Sequence, residues 1–180
     1  SDVSIMDARL LLVPARTLTN VWTYITTCSL LEAFSRYVEV YNAISSKSKA
    51  GGAVDLSKAL EVIAKIVAGV KGSRKALTSL QVNKIFVNEH EVEASPSDEL
   101  IKGFIENLPE DVQKAANEHG VVVLPDKDNL GLRLINRSVM IQWRVRLSRE
   151  SKTVESGPWS EEFLPIETIL VSLVLCREKN

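Results

Sequence analysis

Positive charge is concentrated in one stretch of this chain, between positions 133 and 152. The stretch contains one acidic residue, Glu150, and six basic residues: Arg133, Arg137, Arg144, Arg146, Arg149 and Lys152. Arg144 and Arg146 alternate with apolar residues, so a strand would place both side chains on one face, about 7 Å apart. Successive phosphates of a single nucleic-acid strand have a similar separation, and such a face could bind a polyanion. A solvated strand face paired with acidic neighbours is the alternative interpretation.

An aromatic residue beside a turn signal is the second feature that could contact nucleic acid. Gly157-Pro158 lies between two extended segments and predicts a turn, which would place Trp159 near the tip of a hairpin. An exposed aromatic ring at such a tip can stack on bases or wedge between them. The alternative is that Trp159 packs against its own domain or against a partner subunit.

Carboxylates that could bind a metal ion occur at two places. The segment 89–91 reads Glu-His-Glu, but strand geometry would send His90 to the face opposite both glutamates, which favours an ordinary solvated surface. Asp126 and Asp128 are interpreted as helix-capping residues. The sequence has no phosphate-binding glycine loop, no hydrolase nucleophile motif and no Cys-x-x-Cys pair. It therefore predicts no catalytic residue and no metal ligand on this chain.

Composition limits the remaining possibilities. The 180 residues include 22 basic and 23 acidic ones, and the formal net charge of -1 excludes an overall polybasic nucleic-acid binder. A hydrophobic fraction of 45% supports one buried core and a single domain. No apolar run approaches the roughly 20 residues that span a bilayer. The two cysteines, Cys28 and Cys176, are predicted to be core or strand residues of a reduced, cytoplasmic protein.

Hydrophobic periodicity predicts the elements that must position these residues. A small, polar, glycine-containing segment at 45–53 is expected to form a flexible loop. Strands and helices are interspersed, which favours an α+β fold whose sheet is covered on one face. In chain order, the sequence predicts a strand at 8–13 ended by Pro14, helices at 21–44 and 55–67, an extended segment at 82–92, helices at 96–107 and 109–120, a strand at 121–124, a short helix ending at 135, a strand at 139–147, a hairpin at 153–164 and a strand at 166–176.

Two segments of the sequence resemble a known family. Residues 7–18 (DARLLLVPARTL) and 21–26 (VWTYIT) resemble the "DARLL-P-RS" strand and following helix start of RAMP proteins. The particular resemblance is to the backbone subunit of the Cmr-type (type III-B) CRISPR effector. Residues 146–168 contain a second similar series in the same order: Arg-Leu, Lys-Thr, Gly, Glu-Glu, Leu-Pro and Glu-Thr. The chain departs from the family at Thr17, where Ser is usual, and at Cys28, where Pro is common.

The resemblance implies an RRM-like (ferredoxin-like) palm with inserted helices and a β-hairpin thumb. It implies a single domain at 1–180, with the helical insertion at about 45–80 and the hairpin at about 148–166. The family's N-terminal strand, its catalytic-aspartate segment and its C-terminal Gly-rich segment have no counterpart among these residues. We therefore expect an internal portion or a shortened version of the subunit. No catalytic residue is carried over to this chain, and its enzymatic status stays open.

The resemblance also implies partners and contacts. Copies of the subunit would stack along guide crRNA and position target RNA for cleavage at regular intervals, together with other Cmr-complex subunits. The residues expected to contact RNA are Arg16, Arg144, Arg146, Lys152 and Trp159. A divalent cation such as Mg²⁺ would belong to the family's active site, with no ligand on this chain. A protein–protein scaffold module with no RNA contact is the main alternative, and a metal-dependent nuclease using Asp126 or Glu89 is a third hypothesis.

Overall fold

The computed structural model describes residues 2–46 and 56–177, and within them it contains both strands and helices throughout the chain. This confirms the predicted α+β class. No helix in these ranges is long and apolar enough to cross a bilayer. The strands are β1 Asp2–Ile5, β2 Arg9–Arg16, β3 Trp22–Thr27, β4 Ala76–Thr78, β5 Lys84–Val87, β6 His90–Pro96, β7 Val121–Leu124, β8 Met140–Leu147, β9 Val154–Phe163, β10 Ile169–Val171 and β11 Val174–Arg177. The helices are α1 Cys28–Ser45, α2 Ser57–Val70, α3 Asp98–Ile105, α4 Glu110–His119 and α5 Leu130–Ser138, with a 3-10 turn at Lys127–Asn129.

A mixed seven-stranded sheet forms the centre of the molecule, in the order β10-β2-β3-β7-β4-β6-β5. The pairs β3–β7 and β4–β6 are parallel, and the other neighbouring strands are antiparallel. The sheet curls enough for a single bridge between Thr17 and Val87 to connect the ends of β2 and β5. Two further pairs of strands, β1–β11 and β8–β9, form separate two-stranded sheets.

Both faces of the central sheet are covered, so the prediction of one covered face was wrong. Alternating residues of β7 explain the arrangement, because all four of its side chains are apolar and fully buried. Val121 and Val123 pack with the helices α1 to α4, whereas Val122 and Leu124 pack with α5. Helix α5 therefore packs directly on the sheet face opposite the other four helices.

The start of the predicted first helix is also wrong, since Trp22–Thr27 forms strand β3. All six residues in this strand are β-branched or aromatic types that pack well in sheets, and it pairs with β2 on one side and β7 on the other. Helix α1 begins only at Cys28, where the Thr27 hydroxyl accepts a hydrogen bond from the backbone N–H of Leu30 at 3.3 Å.

Two segments predicted as continuous strands are divided. The extended segment at 82–92 folds into β5 and β6, joined by a two-residue turn in which Asn88 and Glu89 have φ angles of 47° and 68°. The segment at 166–176 divides into β10, which pairs with β2, and β11, which pairs with β1. The predicted loop at 45–53 and the predicted helix start at Asp55 fall largely on positions 47–55, which lie outside the described residues.

Candidate nucleic-acid interface

A hairpin formed by β8 and β9 carries most of the residues that the sequence marked as RNA contacts. Within the described part of the chain the two strands pair only with each other, and every residue of β8 is exposed. The hairpin begins at Met140, earlier than the predicted position of about 148. Its turn lies at 148–153, where the N–H of Ser148 donates to the carbonyl of Thr153 at 2.9 Å.

Arg144 and Arg146 are held by carboxylates of the opposite strand. The Nε atom of Arg144 lies 2.7 Å from Oε2 of Glu161, and its guanidinium lies over the ring of Phe163, 5.3 Å from the centroid. The Nε atom of Arg146 lies 3.3 Å from Oε2 of Glu155. The structure therefore matches the alternative interpretation of this strand face, in which the basic side chains pair with acidic neighbours.

Trp159 does not lie at the hairpin tip, and that prediction was wrong. Gly157-Pro158 is a cis peptide inside β9, and Trp159 follows it in mid-strand, directly opposite Arg144. The indole N–H donates to Oε1 of Glu161 at 3.0 Å, and the residue is 39% exposed. The ring therefore lies on the side of the hairpin rather than at its end. Lys152 takes the tip position, in the turn with φ of 57°.

The hairpin as a whole carries no excess of positive charge. From 140 to 163 it has four basic residues, Arg144, Arg146, Arg149 and Lys152, and four acidic ones, Glu150, Glu155, Glu161 and Glu162. Its alternate β8 positions are apolar and well exposed, with Ile141 at 60%, Trp143 at 72%, Val145 at 47% and Leu147 at 51%. This exposed apolar face is a stronger feature of the hairpin than its charge.

Arg16 lies away from the hairpin strands, at the end of β2, and Asn88 holds its backbone. The N–H of Arg16 donates to Oδ1 of Asn88 at 3.2 Å, and the N–H of Asn88 donates to the carbonyl of Arg16 at 2.9 Å. The Asn88 amide also donates to the carbonyl of Leu134 at 3.0 Å and to the hydroxyl of Ser138 at 2.8 Å. Buried Asn88 therefore fixes the end of β2 to helix α5.

The guanidinium of Arg16 remains available to solvent. Its closest carboxylate oxygen is Oε1 of Glu89 at 3.8 Å, and the two side chains are 78% and 86% exposed. An ion pair this long and this exposed contributes little, because water screens it and both side chains are mobile. Arg16 can therefore exchange Glu89 for another anion at small cost.

A cleft of about 330 Å³, here called the base cleft, lies where the hairpin leaves the sheet. Arg16 and Arg137 line it, together with the side chains of Trp22, Asn88 and Met140. His119 stacks on Trp22 with ring centroids 3.7 Å apart, so one face of the indole is already covered. The base cleft thus combines two guanidinium groups with a fixed aromatic side chain.

Helix α5 explains why Arg137 is free. Gly131, Leu134 and Ile135 are its buried residues, and Arg133 and Arg137 lie one helical turn apart on its exposed side. Among residues 2–46 and 56–177, no carboxylate oxygen lies within 4.0 Å of either guanidinium. Sequence analysis included Arg137 in the basic stretch but did not select it. The four-residue spacing to Arg133 was the available signal.

The carboxylates considered for metal binding are not gathered into a site. The described part of the chain contains no group of three or more His, Cys, Asp or Glu side chains that could hold a metal ion. Glu89 lies in the β5–β6 turn. The Asp126 side chain makes no hydrogen bond to the 3-10 turn that follows it, so its interpretation as the cap of that helix was wrong.

Asp126 instead lies beside the thiol of Cys28. Burial and, to a smaller extent, the neighbouring Asp126 carboxylate, which accepts a hydrogen bond from the thiol, together raise the pKa of Cys28 to about 12. Partial burial raises the pKa of Asp126, and the Glu32 carboxylate adds to that effect. Cys28 is therefore an unreactive core residue, as predicted, whereas Cys176 is exposed on β11.

Comparison with known proteins gives relatives for nearly the whole chain, although no family model matches it. The chain is 29% identical to the CRISPR system CMR subunit Cmr4 of Saccharolobus solfataricus, over 97% of this chain and 59% of that protein. It is 26% identical to the CRISPR system Cmr endoribonuclease Cmr4 of Pyrococcus furiosus, over 96% of this chain and 54% of that protein. The chain thus spans little more than half the length of the curated relatives that it matches.

Solved structures give the same result. A chain of the type III-B Cmr-beta complex bound to cognate target RNA, determined by cryo-electron microscopy, is 28% identical and has a TM-score of 0.73 over 99% of this chain and 58% of its own length. The crystal structure of oligomeric Cmr4 from Pyrococcus furiosus has the same fold, with a TM-score of 0.60 at 16% identity over 99% of this chain and 58% of that chain. These similarities confirm the resemblance found in residues 7–18 and 146–168.

Proposed function

We propose that this chain, which is similar along nearly its whole length to the RAMP-superfamily backbone subunit of Cmr-type CRISPR effectors, binds guide crRNA and stacks with further copies of itself. In this role it would position target RNA for cleavage at regular intervals, within a cytoplasmic complex that includes other Cmr subunits. The central sheet with its helices would serve as an RRM-like palm, and the β8–β9 hairpin as its thumb.

The base cleft is the observation that carries the proposal. Arg16 and Arg137 approach it from two different elements, and neither has a close carboxylate partner within the described residues. Phosphate groups bind such guanidiniums well, because the planar fork of donors matches their oxygen atoms. We therefore assign the main phosphate contacts to the base cleft and not to the hairpin strands.

Arg144, Arg146, Lys152 and Trp159 remain predicted RNA contacts of a second kind. Glu155 and Glu161 would have to release the two strand arginines before either could bind a phosphate. Trp159 could offer its ring to a base only from the side of the hairpin. RNA contact at these four positions therefore depends on a rearrangement that the base cleft does not require.

Cleavage chemistry is not assigned to any residue of this chain. In the family that the chain resembles, an aspartate and a divalent cation such as Mg²⁺ cut target RNA. We propose none of the described side chains as that aspartate or as a ligand of that cation. The proposal thus concerns the binding and alignment of RNA.

Two double variants separate the base cleft from the hairpin in a binding titration with single-stranded RNA at several salt concentrations. Each phosphate contact contributes about 0.7 to the slope of log affinity against log salt. Arg16→Ala with Arg137→Ala should weaken binding and reduce the slope by about 1.4. Arg144→Ala with Arg146→Ala removes the same charge from the hairpin and serves as the matched control, with a smaller expected effect.

The results of this titration can contradict the proposal in two ways. A larger effect of the hairpin variant would move the main phosphate contacts to β8 and contradict the assignment to the base cleft. A wild-type chain that binds no RNA at moderate salt would contradict the function itself. Melting curves of both variants must match that of the wild type, so that the change in affinity is not a loss of folding.

A scaffold role without RNA contact is a second candidate, and the apolar face of the hairpin favours it. Ile141, Trp143, Val145 and Leu147 form an exposed row on a hairpin whose charges balance. Large exposed apolar patches mark protein–protein contacts. Here the hairpin would dock on a neighbouring protein subunit and Arg144 and Arg146 would only maintain the pairing of its strands.

Replacement of Trp143 tests the scaffold role. Trp143→Ser should leave the melting temperature nearly unchanged because the side chain is 72% exposed. In this role it should reduce assembly into larger species in sedimentation experiments while RNA is absent. Unchanged assembly together with weakened RNA binding would favour the first candidate.

A further inference from the structure

We propose that the bound RNA strand runs along the exposed side of helix α5, from the base cleft at its last turn to a second pocket at its first turn, and that this second pocket binds further phosphate groups of the same strand. The inference rests on the proposed RNA-binding function and extends it to a site that the sequence did not mark. The second pocket, here called the far pocket, has a volume of about 380 Å³. It lies between β6 and the segment that leads into α5.

The far pocket gathers cations from three separate parts of the chain. Arg74 comes from the connection between α2 and β4, Lys127 from the 3-10 turn, and Arg133 from α5. All three residues are exposed, and within 2–46 and 56–177 none has a carboxylate oxygen within 4.0 Å. Their positive charge is therefore available to a ligand.

Acidic residues also line the far pocket, but lysines outside its lining pair with two of them. Oε1 of Glu91 lies 2.6 Å from Nζ of Lys84, and Oε2 of Glu93 lies 3.8 Å from Nζ of Lys75. Asp128 is the remaining lining carboxylate. With these two lysines included, five cations and three carboxylates lie in and around the pocket, and the excess of two positive charges attracts phosphate.

Helix α5 connects the two sites. Arg137 lines the base cleft and Arg133 lines the far pocket, one helical turn away. Side chains four residues apart on a helix have Cβ atoms about 5–6 Å apart. This distance is short enough for neighbouring phosphates of one extended strand to contact both guanidiniums. The exposed side of α5 is thus a continuous basic surface between the two pockets.

A strand fits this surface better than a small anion does. The three cations of the far pocket come from separate elements, and each side chain is exposed rather than enclosed. Sites for small phosphate compounds usually bury most of the ligand. A polyanion requires only a series of exposed cations at the spacing of its phosphates, because release of its counterions drives binding.

Binding of long and short RNA to a triple variant tests the inference. Arg74→Ala, Lys127→Ala and Arg133→Ala together remove the cations of the far pocket. The matched control is Lys58→Ala, Lys65→Ala and Lys114→Ala, which removes the same charge from exposed positions on α2 and α4, over the other sheet face. Fluorescence anisotropy is measured over a range of salt concentrations with a long single-stranded RNA and with an oligoribonucleotide short enough to occupy one pocket.

For the long RNA, the far-pocket variant should reduce the salt slope by about 2, since each lost phosphate contact contributes about 0.7. The affinity for the short RNA should fall by a much smaller factor. The control variant should change neither slope, apart from a small general effect of net charge.

Three results would overturn the inference while leaving the proposed function intact. The first is an unchanged slope for the long RNA in the far-pocket variant. The second is an equal loss of affinity for long and short RNA. The third is pyrophosphate binding that the far-pocket variant abolishes while long RNA binds normally, which would make the pocket a small-anion site. If the wild-type chain binds no RNA at all, the proposed function fails as well.

Discussion

Strand β8 of the hairpin and helix α5 each carry two arginines from the same basic stretch, yet the two regions present them differently. In the hairpin, Arg144 and Arg146 face a strand that supplies Glu161 and Glu155 at 2.7 and 3.3 Å. On α5, the helix buries its apolar side against the sheet and leaves its two arginines in solvent. Neither of these has a carboxylate within 4.0 Å in the described part of the chain.

This difference shows that the number of basic residues in a sequence segment does not measure the charge offered to a partner. A strand is always opposite another strand, and the residues of the partner strand decide whether its charges are neutralised. A surface helix has one side without an opposing element, so its cations stay free unless a neighbour reaches them. Four sets of substitutions test this contrast, beginning with the one that should change the protein most.

Loss of the Asn88 side chain should have the largest effect, since Asn88 joins β2 to α5. Asn88→Ala removes hydrogen bonds to the N–H of Arg16, the carbonyl of Leu134 and the hydroxyl of Ser138. At about 1 kcal/mol for each bond, we expect the free energy of unfolding to fall by about 3 kcal/mol in urea denaturation. Asn107→Ala removes one side-chain bond and should cost about 1 kcal/mol. Equal effects of the two variants would contradict the role given to Asn88.

A methyl group at Gly131 should displace α5 from the sheet. Its Cβ would lie 2.6 Å from Cγ2 of Thr27, a residue whose hydroxyl is already engaged at the start of α1. Gly131→Ala should therefore lower the free energy of unfolding by about 1–3 kcal/mol and weaken RNA binding through Arg133 and Arg137. At Gly103 on α3, an added Cβ finds Val62 at 3.5 Å, so Gly103→Ala should be neutral or stabilising. If Gly131→Ala leaves the RNA affinity unchanged, α5 is not part of the RNA-binding surface.

Removal of the hairpin carboxylates should leave the arginines of β8 without ion-pair partners, as the arginines of α5 already are within the described residues. Glu155→Gln with Glu161→Gln would release both strand arginines, and the salt slope of RNA binding should increase by about 1.4 if each then contacts a phosphate. Glu61→Gln with Glu110→Gln makes the same change in net charge on α2 and α4 and serves as the control. An equal increase in both variants would mean that net charge, rather than the freed arginines, is responsible.

The smallest effect is expected at Asp126, whose pKa is raised in the folded protein. A raised carboxyl pKa means that the ionised form destabilises the fold, so the contribution of Asp126 to stability falls as the pH rises through its raised pKa. Asp126→Asn should therefore stabilise the protein at neutral pH, by less than about 1 kcal/mol because the carboxylate is only partly buried. The gain should disappear in denaturation experiments at acidic pH. A gain that is independent of pH would point to another cause.

Local sequence patterns correctly predicted those elements whose secondary structure does not depend on a partner strand far away in the sequence. The run Val121–Leu124 is apolar at every position, and this pattern indicates a buried strand whatever elements surround it. Trp22–Thr27 was misread because its apolar positions also fit helical spacing, and its strand partner β7 lies almost a hundred residues further on. The Asn88-Glu89 turn was missed because Glu rarely adopts a positive φ, so the pair lacks the usual turn signal.

The candidate site was harder to predict than the fold. The pairing of Arg144 with Glu161 depends on a strand register that shifts near the cis Gly157-Pro158 bond, which no local pattern specifies. The base cleft brings together Arg16 and Arg137, which are distant in sequence and lie near each other because α5 packs on the sheet and Asn88 joins it to the end of β2. Sequence analysis therefore found the basic stretch but not which of its members are free.

Pairing of the first described strand with the last has a practical consequence for site-specific labelling. β1 and β11 run antiparallel with Asp2 opposite Arg177, so these two positions are only about 5 Å apart. Cys176 is an exposed thiol on β11, opposite Val3 of β1, whereas Cys28 is buried. A probe attached to Cys176 would therefore report opening of this two-stranded sheet, which is separate from the central one.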